Sequence, residues 1–117
     1  MFSADLFKWA RHLNADSMKA ASNSEWERAS TLQGDARTAA LEALFKGTSW
    51  ERPYRELKDF RNCYAASSEE FMNLATTLEL AAEHLKKMSE WSWLEFELRR
   101  DAEIALKRAI GLEKAAA

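Results

Sequence analysis

Residues 67 to 88 read SSEEFMNLATTLELAAEHLKKM, with apolar side chains at Phe71, Leu74, Leu78, Ala81, Leu85 and Met88. The spacings alternate between three and four, the pattern of a helix packed lengthwise against others. Ser67 followed by Glu70 forms a capping box, in which each side chain satisfies a free backbone N–H at the helix start. On the opposite face Glu83 and Lys87 stand four apart in the favourable orientation.

The rest of the chain has the composition this helix implies. There is no valine, and the only isoleucines are Ile104 and Ile110, whereas alanine and leucine abound. β-Branched residues suit strands, and Ala, Leu, Glu, Lys, Arg and Met lose little side-chain freedom in helices. With one proline and three glycines, the chain is expected to be all-α. Its 117 residues fit a single domain, expected as a compact antiparallel bundle of four to five helices.

Caps and stripes divide the remainder. Ser3 or Asp5 starts a first helix, with Phe2, Leu6, Trp9 and Leu13 as its apolar stripe. Ser22 to Ser24 interrupt it, and Ser24 with Glu27 reads as a capping box for a short helix from Glu25 to Gln33. Gly34 is expected to end that helix and Asp35 to cap the next, Ala36 to Lys46, which stops at Gly47. In the hinge GTSWERPYREL, Thr48 or Ser49 caps and Pro53 suits a first helical turn. The helix that follows carries Tyr54, Leu57, Arg61 and Tyr64, with Phe60 beside them. Near the C-terminus Ser92 and Glu95 suggest a third capping box, with Trp91 and Phe96 placed as its hydrophobic staple. Leu94, Leu98, Ala102 (or Asp101) and Ala105 continue as a buried stripe. Glu95–Arg99 and Glu103–Lys107 are expected as solvated pairs. Gly111 is expected to end this helix, with residues 113–117 a frayed tail.

The same residues argue against several functions. Net charge is −2, with both signs interspersed. Arg52, Arg55, Lys58 and Arg61, and Arg99, Arg100, Lys107 and Arg108, each alternate with acids and read as ion-pair faces rather than phosphate-binding patches. The residues three before His12 and His84 are Trp9 and Ala81, so no Glu-x-x-His di-iron motif exists. One cysteine and two histidines cannot build a four-ligand zinc cage. Cys63 has no disulfide partner within the chain, which favours a reducing compartment. It reads as a small half-buried residue rather than a nucleophile. Glu69 and Glu70 suit a helix N-terminus by charge. The N-terminal stretch lacks the order of a signal peptide, and no apolar run is long enough to cross a membrane. The expectation is a cytoplasmic, non-enzymatic protein with no cofactor and no metal.

One local resemblance stands apart. FKGTSWERPY, between a helix and a long amphipathic helix, resembles the helical hairpin of WXG100-type secreted proteins, whose turn carries Trp-x-Gly. Trp50 takes the tryptophan's place, but Arg52 stands where the glycine would be. The likeness covers residues 36 to 88 at most, and it implies a secreted helical hairpin as a lesser alternative.

Aromatic excess carries the functional expectation. Trp91 has its staple, Trp9 its stripe, and Trp26 and Trp50 sit at helix junctions. Trp93, the first residue of the last helix, points away from Trp91 on a regular helix and is left over. Tryptophan is a favoured anchor of protein–protein contacts. The expected function is a protein-interaction module, an adaptor, chaperone-like cofactor or small inhibitor, binding through Trp93 and Glu97. A second surface carries Trp50 and Tyr54, and a homodimer through an apolar helix face is a further option. The alternative is a small nucleic-acid-binding protein using a basic helix face.

Overall fold

The computed structural model describes residues 2–46 and 67–116. The chain divides into two compact units, Met1–Arg55 and Glu56–Ala117. It is all-α: the described residues form four α-helices and a 3-10 turn, with no strand. The hinge from Gly47 to Tyr64, including Trp50, Pro53, Tyr54, Arg55 and Cys63, lies outside the described residues.

In the first unit α1 (Ala4–Ser22) and α2 (Trp26–Leu44) pack against each other. Ser3 caps α1 as expected, its hydroxyl accepting from the Leu6 N–H at 3.4 Å. The rings of Phe2 and Phe7, just before the cap and four residues into the helix, lie 5.3 Å apart at 57°. A hydrophobic staple therefore forms here. Two hydrogen bonds fix the antiparallel register. The Ser17 hydroxyl donates to the Ala29 carbonyl at 2.8 Å, and the Ser3 N–H donates to the Ala43 carbonyl at 3.0 Å. In both bonds the residue numbers add to 46, which sets Ala10 opposite Ala36, both fully buried.

This register explains a difference from the expected stripe. The buried face of α1 is Phe7, Ala10, Asn14, Ser17 and Ala20, not the face of Phe2, Leu6, Trp9 and Leu13. A side-chain hydroxyl can reach the facing helix's carbonyl only if the backbones come close, about 8 Å between axes. Alanine and serine permit that approach and large side chains do not. Trp9 is left 59% exposed.

The connection between α1 and α2 also differs. Ser24 has φ 59°, its N–H donates to the Ala21 carbonyl at 3.0 Å and the Glu25 N–H donates to the Ala20 carbonyl at 2.9 Å. These are the two bonds of a Schellman motif, with serine at the left-handed position usually held by glycine. A residue in that conformation cannot cap α2, so the Ser24–Glu27 box does not form, and Glu25 precedes the helix without a side-chain cap bond. Helix α2 runs unbroken through Gly34 and Asp35. Packing of Ala29, Ala36 and Ala40 against α1 outweighs the roughly 1 kcal/mol that one interior glycine costs.

In the second unit α3 (Ser68–Leu85) and α4 (Ser92–Ala116) form the other pair, joined through a 3-10 turn, Ser89–Trp91. Ser67 caps α3, its hydroxyl accepting from the Glu70 N–H at 3.2 Å, but the Glu70 carboxylate accepts from that hydroxyl at 3.3 Å rather than from the Ser67 N–H, so one half of the expected capping box forms. Phe71, Leu74, Leu78, Ala81 and Leu85 are buried, as are Leu94, Leu98, Ala102 and Ala105, so both expected stripes are present except at Met88, which is half-buried beyond the end of α3. Ser92 is already helical, with φ −56° and ψ −34°, because the 3-10 turn feeds directly into α4. The third capping box is therefore absent. Phe96 is 69% exposed while Trp91 is fully buried, so no staple joins them. α3 ends at Leu85, before Lys87, and Glu83 pairs elsewhere. Nor does Gly111 end α4, which continues to Ala116 where a frayed tail was expected.

A Cβ added at Gly34 would meet nothing within 4 Å. Gly34→Ala should raise stability by about 1 kcal/mol, and Ser24→Gly by about 0.5–1 kcal/mol as left-handed strain is relieved. Urea denaturation followed by circular dichroism checks both. An unchanged or lowered midpoint for Gly34→Ala would mean that α2 breaks there.

Candidate functional site

Trp91 and Trp93 sit where α3 turns into α4. Trp91 ends the 3-10 turn with its side chain fully buried. The Trp93 ring is half-buried, and its centroid lies 5.7 Å from that of Trp91, the planes at 30°. The two tryptophans therefore meet rather than point apart. The expectation assumed a regular helix through both, but the tighter 3-10 turn begins the segment. Glu97, one turn beyond Trp93, is half-buried. Trp50 and Tyr54, the second expected surface, lie outside the described residues.

Three basic residues of α4, Arg99, Arg100 and Lys107, are engaged by acids. Arg99 donates to Glu95 at 2.9 Å, to Glu79 at 2.9 Å and to Glu83 at 3.1 Å. One guanidinium thus ties its own helix to two carboxylates of α3, using the fork geometry that suits arginine. Lys107 pairs with Glu103 at 3.2 Å, and Arg100 lies 3.8 Å from Asp101. The group Arg52 to Arg61 is outside the described residues.

Sequence reasoning missed a different surface, the flank of α1. Leu6 and Leu13 are half-buried there, and Trp9 stands exposed between them. The ring of His12 lies 6.4 Å from that of Trp9. The signal lies in the spacing of Phe2, Leu6, Trp9 and Leu13. What it marked was an apolar face beside the hairpin seam instead of the seam itself. Trp26, 67% exposed at the start of α2, sits beside the exposed Arg28–Glu25 pair at 3.2 Å. An open hollow there is lined by Glu25, Trp26, Glu27, Arg28 and Thr31, without the enclosure of a small-molecule site. Among the described residues no three His, Cys, Asp or Glu side chains gather as a metal site would require, and no helix is long and apolar enough to cross a membrane.

Compared with protein-family models, with curated proteins and with solved structures, the chain matches none.

Trp91→Ala should cost about 3–5 kcal/mol because it empties a fully buried site, whereas Phe96→Ala should stay within about 0.5 kcal/mol. Equal losses in urea denaturation would restore the staple. The Glu83 carboxyl is held below its ordinary 4.5, first by the hydrogen bond from Arg99 and then by the charge of Lys86. A depressed folded value gives stabilisation that is complete above 4.5 and lost as pH falls through the folded value. The denaturation midpoint should therefore drop on acidification below that point. Arg99→Met should lose this part of the acid sensitivity, so that variant and wild type converge at low pH.

Proposed function

We propose that the protein is a non-enzymatic interaction module, binding another protein through aromatic side chains held out on helix faces. An adaptor, a chaperone-like cofactor and a small inhibitor all work in this way. The observation that carries the reading is Trp9, 59% exposed between the half-buried Leu6 and Leu13. Single exposed apolar residues are ordinary on protein surfaces. A tryptophan in line with two leucines on one helix face has the composition of a binding anchor, since tryptophan contributes disproportionately to interfaces.

Trp93 provides a second surface. Its ring already rests against buried Trp91, so little side-chain freedom remains to be lost when a partner covers it, and preorganisation of this kind strengthens binding. Glu97 lies on the same side one turn later. Trp50 and Tyr54 join these as the candidate surface in the hinge. The close pairing of Arg99, Arg100 and Lys107 with carboxylates favours a protein partner over a nucleic acid, whose phosphates need uncommitted cations. The single Cys63 suits a reducing, cytoplasmic setting.

Affinity capture from the source lysate with wild type, Trp9→Ala and Trp93→Ala tests the reading. A protein retained by wild type and lost from Trp9→Ala, with the helical circular dichroism unchanged, is the expected result. The same proteins on all three baits, or none, would overturn it.

A further inference from the structure

We propose that the apolar flank of α1 is a seam for a second copy of this chain, laid antiparallel against the first. The inference rests on the preceding reading of that flank as a binding surface and names what binds there. Leu6, Trp9 and Leu13 are three and four residues apart, the spacing by which helices supercoil around each other. Ala10 and Ser17, on the α2 side of this line, are buried in the hairpin. The other side is a row of charged and polar residues, Asp5, Lys8, His12, Asp16 and Lys19, all exposed.

That row is its own electrostatic complement. Counted outward from His12, Asp5 corresponds to Lys19 and Lys8 to Asp16, each pair opposite in sign. A two-fold axis beside His12 would set these residues against one another across two antiparallel copies, giving four ion pairs. Such an axis makes the interface isologous, with one patch serving both partners. The same arrangement lays Trp9 beside Leu13 of the second copy, and Leu13 beside its Trp9, within about 3 Å of the charge register along the axis. A parallel copy would instead bring the charged row against the buried alanine and serine side and leave it unpaired.

The helix dipole does not account for this order. It favours acids near the N-terminus and bases near the C-terminus, which suits Asp5 and Lys19 but runs against Lys8 and Asp16. Among the described residues no ion pair takes up Asp5, Lys8, Asp16 or Lys19. One helix pair buries less than a standard interface, so the dimer is weak and depends on concentration.

Sedimentation equilibrium of the full chain from about 5 to 500 µM tests this. Wild type should move toward twice the monomer mass, and Trp9→Ala should stay monomeric. Lys8→Glu and Asp16→Lys should each weaken association about tenfold by turning attraction into repulsion, and the double variant should recover it. Both single substitutions improve the match to the helix dipole, so weaker association cannot be ascribed to a weaker helix. Association that ignores all these changes, or a wild-type monomer throughout, would overturn the proposal. A wild-type monomer that still captures another protein through Trp9 overturns the second copy alone, and one that captures nothing overturns the interaction reading as well.

Discussion

The hydrogen bond from Ser17 to the Ala29 carbonyl sets the terms for the first unit. A side chain as short as serine reaches across only if the two backbones nearly touch, so the residues around it must be small. Ala10, Ala20, Ala36, Ala40 and Ala43 meet that condition, and the Ser3 to Ala43 bond holds the same register at the open end. Such a seam gains dense packing, but each alanine removes little apolar surface from water compared with a leucine. Phe7 is the one large apolar side chain on the buried face of α1, and Leu6, Trp9 and Leu13 are left on its flank, where Trp9 stands out from the surface. Close packing and the exposed aromatic have one cause.

The second unit solves the same problem differently. Its seam is built from Phe71, Leu74, Leu78, Leu85, Leu94 and Leu98, all essentially fully buried, and Trp91 fills the end where the helices meet. The polar link between its helices lies outside the core. Arg99 makes that link with Glu79 and Glu83, two exposed carboxylates four residues apart on α3. Exposed ion pairs contribute little singly, but one guanidinium shared among three carboxylates also fixes the rotation of α4 about its axis.

How much was legible in the sequence follows from this contrast. The α3 and α4 stripes are readable because Phe71, Leu74, Leu78 and Leu85, and Leu94 and Leu98, recur at helical spacing on the buried faces. The same reading failed on α1, where the buried face contains Asn14 and Ser17 and the apolar line is the flank. Gly34 and Gly111 read as endings, yet both lie inside helices, and at Gly34 the packing of Ala29, Ala36 and Ala40 overrides the local preference. Ser24 reads as a cap because serine so often is one. Its left-handed backbone follows from the way the chain must reverse between two closely packed helices, which no single residue reports. The tryptophan pair failed for a related reason, since a 3-10 turn changes which residues share a face. The α1 flank needed the hairpin register before its own spacing could be interpreted.

The uninterrupted course of α4 through Gly111 has a consequence for amide hydrogen exchange. Glycine loses the most backbone entropy on entering a helix, and nothing surrounds this one to offset the loss. Beyond it Leu112 is half-buried and Glu113 to Ala115 are exposed, whereas Ala109 and the stripe before it are fully covered. The amides after Gly111 can therefore open and exchange while those of the Leu94 to Ala109 segment stay protected. One continuous helix thus behaves as two steps of unequal depth, with Gly111 as the boundary between them.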